Sequence, residues 1–151
     1  AKLEKNGKLI GIITQNIDGL HTKAGNKKVY ELHGTIYSNH CIKCKKFFDA
    51  KYVFESKNIP KCGCGGIIKP DVVLYGEMLD NNTLNTSIDL ISNSDMLIVA
   101  GTSLLVEPAS SLIRYFKGKY LVILNRSNTK YCDIASLVIN DSLGNIFKQL
   151  K

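Results

Sequence analysis

The sequence lacks any long hydrophobic run, since no apolar stretch approaches the roughly 18 residues that a membrane-spanning helix needs. Its first residues, 1–5, also lack the apolar core of a secretion signal. No initiator methionine is present, so we expect the chain to be part of a longer protein. These absences predict a cytoplasmic protein that has no membrane partner.

The composition is that of an ordinary globular domain. Hydrophobic residues make up 44% of the 151 residues and charged residues 22%, which fits one domain with a modest insertion. The net charge of +7 has two interpretations, namely attraction to nucleic acid or an acidic partner, and a lysine-rich surface without a single target. Because the basic residues are scattered in short clusters, we favour the second and expect no nucleic-acid partner.

Short apolar segments alternate with helical segments along most of the chain. The segments predicted to be strands are residues 9–14, 29–32, 72–75, 95–100, 120–124 and 137–139. Helices are predicted at residues 82–91 and 108–116 and from Leu143 onward, and residues 1–8 resemble the end of another helix. This order predicts an α/β fold, a Rossmann-like doubly wound parallel sheet that is incomplete at the N-terminus.

Residues 35–70 interrupt this alternation. They contain four cysteines and several lysines, but too few large apolar residues to form a core of their own. We therefore divide the chain into a first Rossmann-like part at residues 1–34, a zinc-binding module at residues 35–70 and a second Rossmann-like part at residues 71–151.

Four of the five cysteines lie within 24 positions and predict a structural zinc site. They form two close pairs separated by 17 residues, an arrangement that lets a hairpin deliver four thiolates to one tetrahedral Zn²⁺. The predicted ligands of this single zinc ion are Cys41, Cys44, Cys62 and Cys64. The alternatives are four metal-free thiols, or His40 as a spare ligand if the short spacing of the second pair keeps a thiolate out of reach.

Polar side chains follow the predicted strands at their carboxyl ends, where doubly wound sheets bind ligands. These side chains belong to residues 14–18, His33, residues 101–103 and Asn125. Amides, a carboxylate, hydroxyls and an imidazole suit a ribose-bearing ligand together with acid–base chemistry. Each residue alone has a simple structural explanation, but the set predicts a nucleotide-binding enzyme.

An ordered series of motifs resembles the sirtuins, the NAD-dependent protein lysine deacylases. Thr-Gln-Asn-Ile-Asp-Gly-Leu-His at 14–21 is similar to their nicotinamide-site motif, and Glu-Leu-His-Gly at 31–34 is similar to their catalytic-histidine motif. The cysteine pairs lie where the family has its zinc module. Residues 69–77, 101–109 and 124–126 are similar to its substrate strand and to two further segments.

The resemblance implies that the protein transfers the acyl group of an acyl-lysine protein or peptide to ADP-ribose, with NAD as co-substrate and nicotinamide as product. The implied catalytic residues are His33, as the general base, with Asn16 and Asp18. The residues implied in NAD binding are Gln15, Asn16, Ile17, Asp18, Gly101, Thr102, Ser103, Asn125, Arg126, Ser127 and Leu143. Those implied in flanking the substrate are Val72, Val73, Leu74, Leu105 and Val106.

The chain departs from the family pattern in two places. One residue instead of two separates Cys62 from Cys64, and the family's N-terminal part with its Gly-Ala-Gly-x-Ser phosphate loop is missing. We therefore expect this chain to be inactive by itself. The open alternatives are an NAD-dependent protein ADP-ribosyltransferase on the same fold, an inactive sirtuin-like fragment and a zinc-ribbon module that binds nucleic acid.

Overall fold

The structure is a computed structural model that describes residues 1–149. The chain divides into two compact units, Ala1–Leu84 and Asn85–Lys151. Because the structure describes residues 1–149, the last two residues of the predicted third segment, 71–151, lie outside the described part. Among the helices of residues 1–149, none is long and apolar enough to cross a membrane.

The first unit begins with a parallel pair of strands. Its first elements are α1 (Lys2–Lys5), β1 (Ile12–Thr14), α2 (Leu20–Lys23) and β2 (Val29–Glu31). β1 and β2 pair with Thr14 opposite Glu31. Because the two strands run in the same direction, the residues that follow them emerge at the same edge of the pair. That edge carries the loop of residues 15–19 and His33.

The same unit contains an antiparallel sheet with the strand order β4–β3–β5. Its elements are β3 (Gly34–Cys41), β4 (Phe47–Asp49), α3 (Ala50–Phe54) and β5 (Ile68–Val72). The buried residues Cys41, Cys62 and Ile68 form its small core, against which Phe48 and Val53 pack. Two of the three buried members are predicted zinc ligands, so the module has little hydrophobic core of its own.

β5 lies earlier in the chain than the strand predicted at residues 72–75. It includes Pro70, which an edge strand tolerates because proline has no N–H to donate. After Val72 the chain turns. The Glu77 N–H donates to the Leu74 carbonyl at 3.0 Å, and the Glu77 carboxylate accepts from the Leu74 N–H at 2.9 Å. This turn ends the strand, so the prediction was wrong for residues 73–75.

The second unit is built on a parallel sheet with the order β6–β7–β8. Its elements are α4 (Asn81–Ser92), which begins in the first unit, β6 (Met96–Ala100), β7 (Tyr120–Leu124), β8 (Leu137–Ile139) and α5 (Leu143–Lys148). Leu121 of the central strand packs with Leu104 and Ile113 in the core of this unit. Burying a side chain of this size contributes about 1.5–3 kcal/mol.

Two elements of the second unit differ from the sequence prediction. β6 is buried on one face only, because Leu97 and Val99 pack on the core while Met96 and Ile98 on the opposite face are 49% and 41% exposed. The helix predicted at residues 108–116 is a 3₁₀ helix, Ala109–Tyr115. Its first turn is tightened by the Ser111 hydroxyl, which donates to the Pro108 carbonyl at 2.7 Å.

The predicted α/β fold is confirmed. Parallel strands alternate with helices in both units, and the cysteine-rich antiparallel module follows β2 in the chain, as the sequence indicates. The exact three-part division of the chain stays a prediction.

Gly34 should be indispensable to the first unit. It has φ +71°, and a Cβ at this position would overlap the carbonyl oxygen of Asp71. We expect Gly34→Ala to lower the free energy of unfolding by about 3 kcal/mol, because left-handed strain adds to a backbone overlap. Urea unfolding followed by far-UV circular dichroism measures the loss.

The matched control for this variant is Gly7→Ala. Gly7 has a similar φ of +69°, but a Cβ there would meet no atom within 4 Å. This variant should therefore lose only the cost of the left-handed conformation, about 1–2 kcal/mol. Equal losses in the two variants would show that the approach to Asp71 is not what requires glycine.

Candidate functional site

His33 is held by a backbone carbonyl. Its Nδ1 lies 3.0 Å from the carbonyl oxygen of Gln15. Because a carbonyl oxygen can only accept, Nδ1 must carry the proton, and in the neutral ring Nε2 then keeps its lone pair. The half-buried imidazole is thereby fixed in the tautomer that can accept a proton at Nε2.

The loop of residues 15–19 is ordered by hydrogen bonds to its own ends. The Asn16 N–H donates to the Thr14 hydroxyl at 3.1 Å, and the Asp18 carboxylate accepts from the Leu20 N–H at 3.0 Å. The Asn16 side chain is exposed, whereas Asp18 is half-buried. The structure therefore brings Gln15, Asn16, Asp18 and His33 to the same edge of the parallel pair.

Glu31 ends β2, and the sequence analysis assigns it no role. Burial raises the pKa of its carboxyl group and the charge of Asp18 raises it further, whereas His21 lowers it. A carboxyl group with a raised pKa beside a charged carboxylate is typical of a functional site. The signal for it in the sequence is its place in the Glu-Leu-His-Gly motif at 31–34.

A second group of predicted residues collects in the other unit. The side-chain amide of Asn125 donates to the carbonyls of Thr102 at 3.1 Å and Ser127 at 3.0 Å. Gly101 has φ +64°, and a Cβ there would lie 3.1 Å from the Leu143 side chain. These contacts therefore bring five predicted residues together beyond the carboxyl ends of β6 and β7.

The remaining predicted residues are more exposed. Ser103 and Arg126 have exposed side chains, as do Leu105 and Val106, at 72% and 44%. In the first unit, the Val73 N–H donates to the His33 carbonyl at 3.0 Å. Val72 pairs with Gly34, and Leu74 is 54% exposed. The binding and catalytic roles of all these residues stay predictions.

The four predicted zinc ligands converge. Their Sγ atoms all lie within 4.8 Å of one another, with 3.5 Å between Cys41 and Cys64 and 3.6 Å between Cys44 and Cys62. Zinc–sulfur bonds of about 2.3 Å in a tetrahedron require sulfur–sulfur distances of about 3.8 Å. The residues therefore fit a Zn²⁺ ion, and the one-residue spacing of Cys62 and Cys64 does not prevent it.

The groups around the four cysteines leave space for a metal ion and shift the pKa values of the thiols. A Cβ on Gly66 would lie 2.6 Å from the Cys41 sulfur, so only glycine fits there. The backbone N–H of Cys44 is the largest influence on the Cys41 thiol, whose pKa falls to about 6. For Cys44, the Lys46 N–H lowers the pKa, but the three other thiols raise it to about 11. A bound cation removes this proton as well.

His40 is not part of the cysteine cluster. Its Nδ1 lies 2.8 Å from the Asp71 carboxylate instead. Since four thiols are already within reach of one ion, the spare ligand considered from the sequence is not needed.

The sequence is similar to those of known enzymes. A model of the Sir2 family matches residues 1–108. The NAD-dependent protein deacetylases of Clostridium perfringens and Clostridium acetobutylicum are each 57% identical to this chain, over 97% and 98% of its length. The chain covers 61% of each of these proteins, so it spans about three fifths of the curated relatives that it matches.

Solved structures give the same result. A structure of Sir2 with the inhibitor EX-527, 2'-O-acetyl-ADP-ribose and a deacetylated p53 peptide matches with a TM-score of 0.92 and 39% identity, over 98% of this chain and 66% of that one. A Sir2–p53 peptide–NAD⁺ structure matches with a TM-score of 0.91 and 39% identity, over 98% and 64%. These similarities confirm the Rossmann-like fold with an inserted cysteine module.

Metal analysis tests the zinc site. We expect one zinc per chain, and we expect chelation to unfold the β3–β5 module, because structural zinc in small modules contributes on the order of 10–16 kcal/mol. Cys64→Ser should lower the bound zinc severalfold by removing one of four thiolates. Cys132→Ser is the matched control, since Cys132 lies outside the cluster and its loss should leave the zinc content unchanged. Well under one zinc per wild-type chain would contradict the assignment.

Proposed function

We propose, from the premise that the chain belongs to the Sir2 family, that the protein is an NAD-dependent protein lysine deacylase. It would transfer the acyl group of a modified lysine to ADP-ribose and release nicotinamide. The observation that carries the proposal is the anchoring of His33 to the Gln15 carbonyl, since it leaves a basic Nε2 beside the loop of residues 15–19. The names of the Clostridium relatives, both NAD-dependent protein deacetylases, agree with this activity.

His33 acts as the general base. With Nδ1–H committed to a carbonyl oxygen, Nε2 is the ring atom that takes a proton from a ribose hydroxyl. General-base assistance of this kind contributes about 10²–10⁴-fold in rate.

Asn16 and Asp18 bind and orient the nicotinamide end of the co-substrate. NAD supplies a ribose carbon whose bond to nicotinamide breaks during the reaction. An exposed amide and a half-buried carboxylate offer the donors and acceptor that a carboxamide and a ribose need. Gln15 and Ile17 contribute through the backbone of the same loop. Burial and the charge of Asp18 both raise the pKa of Glu31, so the two carboxyl groups repel each other when both are charged.

The second unit supplies the residues for the adenosine end. Gly101, Thr102 and Ser103 follow β6, and a glycine backbone there permits close approach of a ribose. The Asn125 amide holds the carbonyls of Thr102 and Ser127 in place. Arg126 contributes a charge at the same strand end, and Leu143 an apolar contact for adenine.

The substrate peptide adds to an edge of the antiparallel module. β5 is an edge strand, and residues 73–74 lead from it to the turn at residues 74–77. An unpaired edge provides backbone donors and acceptors for an added strand. Leu105 and Val106, which are exposed apolar residues, are also proposed to contact the substrate.

We also propose that zinc is structural and that the protein works in the cytoplasm. Four thiolates close the coordination shell of one ion, which leaves no position for a reacting water. A site of four free thiols suits a reducing compartment, where disulfides do not form.

His33→Ala tests the proposal in the protein expressed from its complete gene. We expect deacylation of an acetyl-lysine peptide to fall by about 10²–10⁴-fold, because the general base is lost. Zinc content and the urea unfolding midpoint of the variant should match the wild type, and both are measured as controls for folding.

The same assay separates the alternatives. Mass spectrometry of the treated peptide distinguishes loss of an acetyl group from gain of ADP-ribose. Wild-type turnover by the His33→Ala protein would remove this residue from the mechanism. ADP-ribosylation without deacetylation by the wild type would instead identify a protein ADP-ribosyltransferase.

A further inference from the structure

β3 contains a large bulge where it faces β5. Thr35 pairs with Asp71 and Asn39 pairs with Pro70, so β3 advances four residues while β5 advances one. The three extra residues are Ile36, Tyr37 and Ser38. Pro70 cannot donate a backbone hydrogen bond at this point, so on the β5 side the bulge is held in another way, while on the other side Ser38 pairs with Asp49 of β4.

The Asp71 carboxylate spans this bulge. Ser38 and His40 lie two residues apart on β3, so their side chains share one face of the strand. The Ser38 hydroxyl donates to one carboxylate oxygen of Asp71, and the His40 Nδ1 lies 2.8 and 2.9 Å from its two oxygens. Burial raises the pKa of Asp71, but these bonds and the charge of Lys69 outweigh it and keep the pKa below its usual range. A charged acceptor makes such hydrogen bonds stronger.

The bulge contacts the loop of residues 15–19. The Ile36 N–H donates to the Ile17 carbonyl at 3.2 Å. Gly19, with φ +62°, lies so close to the Tyr37 ring that a Cβ there would be 2.8 Å from its edge. The shape of this loop therefore depends on where the three extra residues of β3 lie.

We propose that Asp71 is a positioning residue for the co-substrate loop. Its carboxylate ties Ser38 and His40 to β5 and so fixes Ile36 and Tyr37 against residues 15–19. In this way it sets the affinity of that loop for NAD. This role rests on the proposed function, because it needs the loop to bind NAD. Asp71 itself does not touch the reacting atoms, and it acts through the backbone of β3.

The expected effect is moderate. The side chains of His40 and Asp71 are 40% and 39% exposed, and ion pairs at such positions are weak. The bulge is also held by the buried Asn39, whose amide donates to the Ile36 carbonyl at 3.3 Å. We therefore expect an effect near the lower end of usual couplings between sites, about fivefold.

The first measurement follows the clamp, by which we mean the hydrogen bonds of Ser38 and His40 to the Asp71 carboxylate. In the protein expressed from its complete gene, Asp71→Ala and Ser38→Ala should each speed hydrogen exchange of the Ile36 amide by about fivefold. Asp133→Ala, which removes an exposed carboxylate from the 3₁₀ helix Cys132–Ile134, is the matched control and should leave this exchange unchanged. If Asp71→Ala does not fold, Ser38→Ala still tests the clamp, because it removes one donor and leaves β5 intact.

The second measurement is kinetic. Both variants should raise the KM for NAD about fivefold while kcat changes less than about twofold. The bulge contacts the loop at Ile17 and Gly19, whereas His33 is held by Gln15 at the beginning of the loop. The double variant should behave like Asp71→Ala alone, because the two side chains share one interaction. Zinc content should stay at the wild-type level in every variant.

Each possible result either supports or overturns the positioning role of Asp71. Faster exchange at Ile36 together with a raised KM for NAD supports the proposal. Unchanged exchange, an unchanged KM in an active enzyme or additive effects of the two substitutions would overturn the positioning role and leave the proposed function standing. A wild-type protein without NAD-dependent deacylation would overturn the proposed function, and the positioning role with it.

Discussion

The backbone of Gly34 lies against the carbonyl of Asp71, and three parts of the first unit meet at this contact. Gly34 begins β3, it pairs with Val72 at the end of β5, and it follows directly on His33. The adjacent Val73 N–H donates to the His33 carbonyl at 3.0 Å. The proposed base, the first strand of the zinc module and the proposed substrate segment therefore share one stretch of backbone. A side chain at position 34 would separate all three.

The zinc module depends on its metal more than on apolar burial. Its buried core has Ile68 as its only large aliphatic member among the described residues, and the other two members are Cys41 and Cys62. With so little apolar area to bury, a module of this size cannot offset the entropy of ordering its chain. The bonds to a metal ion would supply the difference. The module in turn contains the β3 bulge that contacts the loop of residues 15–19, so metal binding and loop geometry are physically connected.

Much of the fold could be predicted from the sequence because several elements are decided locally. β7 occupies Tyr120–Leu124 as predicted, since an uninterrupted apolar run allows one interpretation. The spacing of the four cysteines likewise predicts that they cluster. The features that the sequence analysis predicted wrongly or missed depend on residues that are distant in the sequence. β5 was misplaced because its pairing with β3 tolerates Pro70, and the end of the strand is set by the Glu77 side chain. The Asp71 bonds join residues 31 and 33 positions apart, for which the sequence gives no signal.

The order of the cysteines along the chain has a consequence for synthesis. Cys41 and Cys44 leave the ribosome before Cys62 and Cys64, and β3 cannot pair with β5 until Val72 has been made. At about 5–20 residues per second, roughly two to six seconds pass between Cys41 and Val72. During that interval the first two thiols are available to any metal or oxidant in the cell, and His33 has no finished sheet beside it. All four thiols are present only after Cys64 has left the ribosome, so a metal ion can close the module no earlier than that point.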